Sequence, residues 1–430
     1  MFGSETLIIS GLALSFLGFF LAPLWLNRGE LPPGESQNKC VKHITDPSND
    51  PRLIPRPDDA IKIIRLTNSG EFVDRCELTN ALYELNWDRE RPKNSFGAIT
   101  KAEAQRLPKL TVLYVHGWKH DANPDDTDLK NFSQLITDLR ERHKNQKYVV
   151  GIYLGWNASA GLPGILENIS FWVKKSNADR IAQSAVVTKV VSAIGSISQS
   201  APERLDQFIA IGHSFGARIL FSATAQSLVY ETERAHPGFP GGEYQLVEGS
   251  ADAIILLNPA FEASRYTAID DITRKDERFK ASQPPLLISV STDNDWATKR
   301  AFPIGQWLGL SRSQRELSTL GNYGPYFTHT LAPAANGSAS ASDEAHMTEE
   351  FTAAGLFLTR LSRGAARRVV QANNPFIVAR TTKVVIDGHN GIWAQNFRIW
   401  LAELIAAIER RNEQKVTSLD LNQGKPTPTA

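Results

Sequence analysis

The hydroxyl of Ser214 lies in the stretch GHSFGA, with Gly212 and Gly216 on either side. A serine is a weak nucleophile near neutral pH, so chemistry there needs a base within reach and a third group to hold that base. GHSFG fits the pattern G-x-S-x-G, but so short a pattern recurs by chance and its context must carry the inference. The preceding QFIAI has strand character and the following ARILFSATAQSL is helix-forming. Ser214 is therefore expected at a sharp strand-to-helix turn, with Gly212 and Gly216 placed where backbone segments come too close for side chains. The helix starting there would point its positive end and its first N–H groups at a developing anion.

Nine histidines compete for the role of base. His389 sits in DGHNGIW, after an apolar run, TTKVVID, that reads as the last strand, and before a closing amphipathic helix. His213 adjoins Ser214, but its side chain would point away at such a turn. His116 belongs to VHGW and is expected to hold its own loop, and His346 is a weaker rival. The acid should close the strand before, where PLLISVSTDNDWAT offers Asp293 and Asp295. Asp295 is preferred because it lies further out and precedes Trp296, which would shield the pair and strengthen its hydrogen bond. Asp293 is the alternative acid, and Glu262, after the preceding strand, a more distant one. A tetrahedral oxyanion needs two converging backbone N–H groups. One is expected from Phe215 and the other from Trp118, with Gly117 permitting close approach. The acidic cluster Asp121, Asp125, Asp126 and Asp128 reads as capping for the next helix rather than as a cation site. With only Cys40 and Cys76 present, zinc held by cysteines is set aside, and no metal is expected.

These side chains need a scaffold, and short apolar runs alternating with helical patterns supply its grammar. AIKIIRL, LTVLYVHGW, YVVGIYLGW, QFIAIGHS, AIILLNPA, PLLISVST and TKVVIDGH read as strands. Between them lie ELTNALYEL, a helix over 129–143, a long helical stretch over 166–198, a helix over 217–234 and a last one over 397–411. Such alternation predicts an α/β fold with a mostly parallel sheet covered by helices on both faces. HPGFPGGEYQLVEGS, at 236–250, reads as a surface loop. Residues 296–378 lack clear strand alternation, contain PAANGSASAS and suggest an insertion over one sheet edge.

The N-terminal region has its own character. Residues 7–26 carry no charge, enough at about 1.5 Å per residue to cross a bilayer core, and lack the positive start and small-residue cleavage site of a secretory signal. The expected organisation is a membrane anchor over 1–27, a Pro-rich linker over 28–59, the catalytic-type domain over 60–412 and a disordered tail over 413–430. Cys40 and Cys76 would pair in an oxidising compartment and stay as thiols in a reducing one, and flanking charge leaves the orientation open. Lys plus Arg (47) nearly balance Asp plus Glu (46), which argues against nucleic acid as a partner. No repeat of solenoid or propeller period is present.

Taken in order, VHGW, GHSFGA, STDNDWAT and DGHNGIW resemble the oxyanion strand, elbow, acid loop and histidine loop of the α/β-hydrolase family, over about residues 60–412. The resemblance implies an eight-stranded, mostly parallel sheet, a serine–histidine–acid triad, no cofactor and hydrolysis of an ester or amide. It is to esterase-like and lipase-like branches in general. The N-terminal anchor and the long stretch between Asp295 and His389 depart from the family pattern, so substrate class does not carry over. A membrane-tethered carboxylic ester hydrolase acting on a small-molecule or lipid ester is the leading expectation. A catalytically inert binding protein of the same fold, and a thioesterase or peptidase, stand beside it. Ile165, Leu166, Ile169, Phe171 and Trp172, followed by Lys174 and Lys175, read either as an apolar cap over the site or as the packed face of a sheet-covering helix.

Overall fold

The computed structural model describes Cys40 and residues 61–86, 107–144, 146–158, 171–200, 205–274, 277–303, 313–333, 347–361 and 370–423. Apolar, β-branched runs become strands β1 (Ile61–Leu66), β2 (Lys109–Val115), β3 (Tyr148–Trp156), β4 (Gln207–His213), β5 (Ala253–Leu257) and β6 (Leu287–Thr292). Helices α1 (Arg75–Asn86), α2 (Thr127–His143), α3 (Phe171–Gln183), α4 (Val186–Gln199) and α5 (Phe215–Arg234) alternate with them. Then come β7 (His329–Pro333), β8 (Met347–Ala353), β9 (Leu356–Leu361), β10 (Phe376–Thr381) and the long helix α6 (Gln395–Gln423).

All these strands join one sheet in the order β1-β3-β2-β4-β5-β6-β10-β7-β9-β8. Pairing is parallel from β1 through β7, and only β9 and β8 at the far edge are antiparallel. The protein is thus an α/β fold with a mostly parallel sheet. Winding reverses between β2 and β4, because β2 leads outward to β3 whereas β4 leads the other way to β5. Open parallel sheets leave their ligand crevice at the carboxyl ends of such a pair.

Alternation along β2 shows how the sheet acquires two cores. Leu113 and Val115 face Val187, Val190, Val191 and Ile194 of α4 and Phe215, Ile219 and Leu220 of α5. Leu110, Val112 and Tyr114 face Phe132, Leu135, Ile136 and Leu139 of α2 and Trp400, Leu401, Leu404 and Ile405 of α6. Side chains two apart share a face of a strand, so one apolar run serves both layers. Full burial contributes about 1.5–3 kcal/mol for each large aliphatic or aromatic side chain, which is what holds the carboxyl ends of the strands in place.

The structure departs from the sequence expectations in several places. Among the described residues the sheet has ten strands rather than eight, because residues 296–378 contribute β7, β8, β9 and the start of β10 instead of a strandless insertion. The last strand is FIVART, not TTKVVID. In the latter, Val385 and Ile386 are buried from a turn in which both of their N–H groups donate to the Thr382 carbonyl. The described part of the stretch 166–198 holds two helices bent by 52°, broken at Ala185, whose φ is +56°. Helix α6 runs to Gln423, into the stretch 413–430 that was expected to be a disordered tail. Cys40 and Cys76 form a disulfide, settling the choice that the sequence left open.

Among the described residues no single helix is long and apolar enough to cross a membrane. The bent pair α3–α4 comes nearest, and it buries Val187, Val190, Val191 and Ile194 against the sheet. The expected anchor over 7–26 and, apart from Cys40, the linker over 28–59 lie outside the described residues, as does His346.

Candidate active site

Ser214 occupies the step from β4 into α5 with φ +56° and ψ −119°. A non-glycine residue pays strain for a positive φ, and it persists only where the surroundings over-determine it. They do here: the Ser214 N–H donates to the Leu257 carbonyl at 3.0 Å, and its own carbonyl accepts from Ala260 at 3.1 Å and Arg218 at 3.2 Å. Gly216 explains why the turn needs a residue without Cβ, since a Cβ there would sit 2.0 Å from the Val115 carbonyl oxygen. A Cβ on Gly117 would likewise lie 2.7 Å from that of Ser214, so the loop after β2 presses directly on the serine. Gly212, one residue before His213, packs just as tightly on Ala217.

His389 lies between Ser214 and Asp295. Its Nε2 is 2.6 Å from Ser214 Oγ, and its Nδ1 is 2.6 Å from Asp295 Oδ2. A carboxylate can only accept, so the neutral ring carries its proton on Nδ1 and presents a lone pair to the serine hydroxyl. Asp295 is fully buried, and its Oδ1 accepts from the N–H groups of Ala297 at 2.9 Å and Thr298 at 3.2 Å. Burial alone would raise its carboxyl. The charge and hydrogen bond of His389, with the bonds from Thr298, outweigh burial and hold it below the ordinary carboxylate value.

Asp293 lies elsewhere: its N–H donates to the Thr381 carbonyl, and its own carbonyl accepts from Lys299 Nζ at 2.9 Å. Trp296 is 57% exposed, so it does not shield the His389–Asp295 pair, and the low-dielectric surroundings come from the burial of Asp295 itself. Glu262 is engaged with Arg218 Nη1 at 2.8 Å, Arg265 Nε at 3.0 Å and Lys175 Nζ at 3.3 Å. Burial would raise its carboxyl, but these cations, Arg218 foremost, bring it down to about 2.

Phe215 is the first residue of α5, and Trp118 follows Gly117 in the loop pressed against Ser214; both side chains are buried. His116 anchors that loop. Its Nε2 accepts from the Trp156 N–H at 2.9 Å, which leaves Nδ1 to donate to the Gly117 carbonyl at 2.9 Å. Burial pushes its pKa down to about 4, so it is a neutral strut. In the acidic cluster, Asp126 is the N-cap of α2, accepting from Asp128 and Leu129, and it also accepts from the Asp121 N–H and faces His120. Asp128 accepts from Tyr114 at 2.7 Å and from Trp393, and Asp125 stays fully exposed near Lys130. Among the described residues no three His, Cys, Asp or Glu side chains converge as a metal site.

Of the apolar group read as a possible cap, Ile165, Leu166 and Ile169 and the side chains of Phe171 and Trp172 lie outside the described residues. Lys174, buried, donates to the Asn157 carbonyl at 3.1 Å, and Lys175 bridges Asp179 and Glu262. Two further side chains at the site escaped motif reading. His213 Nε2 lies 2.9 Å from the His389 carbonyl oxygen. Asn258, directly after β5, donates to the same oxygen at 2.8 Å. A polar residue ending an apolar strand on the carboxyl side of a parallel sheet was the available signal for Asn258.

No protein-family model matches the chain, and no curated protein matches it. Among solved structures, phospholipase PlaB from Legionella pneumophila in complex with thio-NAD is similar at 13% identity and a TM-score of 0.27. The match covers 72% of this chain and 62% of that one, so the chain aligns with less than two thirds of that protein's length. A likeness of that degree carries no weight for function.

Proposed function

We propose that the chain is a serine hydrolase that cleaves a carboxylic ester through an acyl-enzyme. One observation carries the proposal: Ser214 Oγ and Asp295 Oδ2 each lie 2.6 Å from opposite nitrogens of a single imidazole, that of His389. In that geometry His389 takes the serine proton as Oγ attacks the ester carbonyl, and Asp295 stabilises the imidazolium that forms. His389 then protonates the leaving alcohol, and water, activated by the same imidazole, releases the acid. The oxyanion would be met by the N–H groups of Phe215 and Trp118, one from the start of α5 and one from the loop pressed on the serine. Residues 7–26 are proposed to hold the domain at a membrane, with the Cys40–Cys76 bond favouring its oxidising face.

The test is covalent labelling of the full chain by a fluorophosphonate probe, together with turnover of ester, thioester and amide substrates of graded acyl length. Wild type is expected to label and Ser214→Ala not to. Absence of labelling in the wild type would overturn the hydrolase reading. Faster turnover of long acyl esters would make the substrate a lipid, and turnover of short esters alone would remove lipids from the proposal.

A further inference from the structure

We infer that His213 and Asn258 form a neutral clamp on the backbone of His389 that sets the angle at which its imidazole meets Ser214 and Asp295. This rests on the proposed role of His389, and it assigns two positioning residues beyond the triad. The His389 carbonyl oxygen has two lone pairs, and two buried side chains take them: His213 Nε2 at 2.9 Å and Asn258 Nδ2 at 2.8 Å.

Each donor has its orientation fixed from behind. A carbonyl only accepts, so His213 must carry its proton on Nε2, leaving Nδ1 as a lone pair. That Nδ1 is buried with no hydrogen-bond partner, and it lies against Gly117, where a Cβ would come within 2.9 Å. A second proton would have no acceptor there and would sit beside the His389 ring, 5.1 Å away between centroids. Burial first, and the neighbouring His389 second, push the His213 imidazole well below its ordinary range. It stays neutral even while His389 becomes a cation in the reaction. Asn258 is held just as firmly: its Oδ1 accepts from the Thr292 N–H at 3.0 Å, so its amide nitrogen has to face His389. Its φ of +43° is one that asparagine tolerates better than most residues.

The clamp joins the three strand ends that carry the chemistry. His213 ends β4 beside the serine, Asn258 follows β5, and Thr292 ends β6 just before the acid loop. Asn294 ties the base loop one step earlier, accepting from the Gly388 N–H at 3.0 Å and donating to Asp387 at 2.8 Å. A loop histidine lacks the ladder that holds a strand residue. A displacement of about 1 Å at a reacting group can cost on the order of a hundredfold in rate.

His213→Phe keeps a ring and removes the donor, His213→Gln returns an N–H near the position of Nε2, and Asn258→Ala removes the second donor. The measurements on the full chain are kcat and KM for the best ester, the melting temperature, and the low-field proton resonance of His389 Nδ1–H. His213→Phe and Asn258→Ala are expected to lose about 10- to 100-fold in kcat with little change in KM, and to broaden or lose the resonance. His213→Gln is expected to recover most of both. Wild-type kcat and an intact resonance in His213→Phe and Asn258→Ala would overturn the clamp, as would a loss that His213→Gln does not recover. Should His213→Phe fail to fold, Asn258→Ala decides by the same two readouts. The resonance needs no substrate, so a wild type that turns over no ester would sink the hydrolase reading while the resonance still judged the clamp.

Discussion

Asp293 and Asp295 are two residues apart on one loop, yet only Asp295 is buried against His389 while Asp293 makes backbone contacts at the carboxyl ends of β6 and β10. The difference is one of orientation, which sequence order conveys poorly. Asp295→Asn would leave a group able to favour the wrong imidazole tautomer, and kcat is expected to fall roughly 10³–10⁴-fold. Asp293→Asn, measured side by side, is expected to remain near wild type, and equal losses in the two variants would remove Asp295 from its assigned place. Ser214 and His389 were legible because the chemistry demands their types and the flanking strand, glycines and helix demand their places. The Trp296 shield was not, because a large apolar residue beside an acid looks alike in sequence whether it faces core or solvent. The contact that His213 and Asn258 share was not legible for a different reason: its acceptor is a backbone oxygen 176 residues from one and 131 from the other.

At the level of elements, helix α2 begins where Asp126 satisfies orphan N–H groups while pairing with His120. Burial would raise the Asp126 carboxyl, but its bond and charge contact with His120, with the backbone bonds, bring it down to about 2. A folded-state value below the unfolded one means the unfolded chain binds more protons, so stability is fully present above pH ~4 and is lost as pH falls toward 2. Asp126 and Glu262 together are expected to make acid stability steep in that window, each by on the order of 2–3 kcal/mol. Asp126→Asn keeps a good cap and removes the titration. Urea melts at pH 6, 4 and 3 should therefore give a flatter pH dependence for Asp126→Asn, and parallel curves would refute the assignment. Strands β2 to β6 were legible because they are buried on both faces and their sequences are mostly apolar, and β1, at the other edge, because IKIIRL keeps four apolar residues around Lys62 and Arg65. Strands β8 and β9 were not: they sit at the sheet edge, carry Glu349, Glu350 and Arg360, and turn through Ala354 and Gly355 at positive φ. Charge on edge strands blunts pairing with other chains, and it also erases the hydrophobic signal.

For the molecule as a whole, the disulfide joins Cys40, upstream of the first strand, to Cys76 in the first turns of α1. Helix α1 packs Leu78, Ala81 and Leu85 into the core on the same side of the sheet as α4 and α5, so the bond fastens the N-terminal segment to the layer that supports Ser214. The bridged residues are 36 positions apart, and closing a loop of that length restricts the unfolded chain by an amount worth about 4 kcal/mol. The proposed triad is built on the carboxyl ends of β4 and β6 and the loop after β10, away from the bond, so its geometry should survive reduction while global stability falls. Reductant, or the double variant Cys40→Ser with Cys76→Ser, is expected to lower the melting temperature by on the order of 5 °C for a chain of this size. The rate of fluorophosphonate labelling at Ser214 should stay near that of the oxidised protein at temperatures well below the transition. An unchanged melting temperature would mean the bond does not form in the protein. A labelling rate that fell in step with reduction would instead tie the N-terminal segment to the candidate active site through the core that α1 shares with α4 and α5.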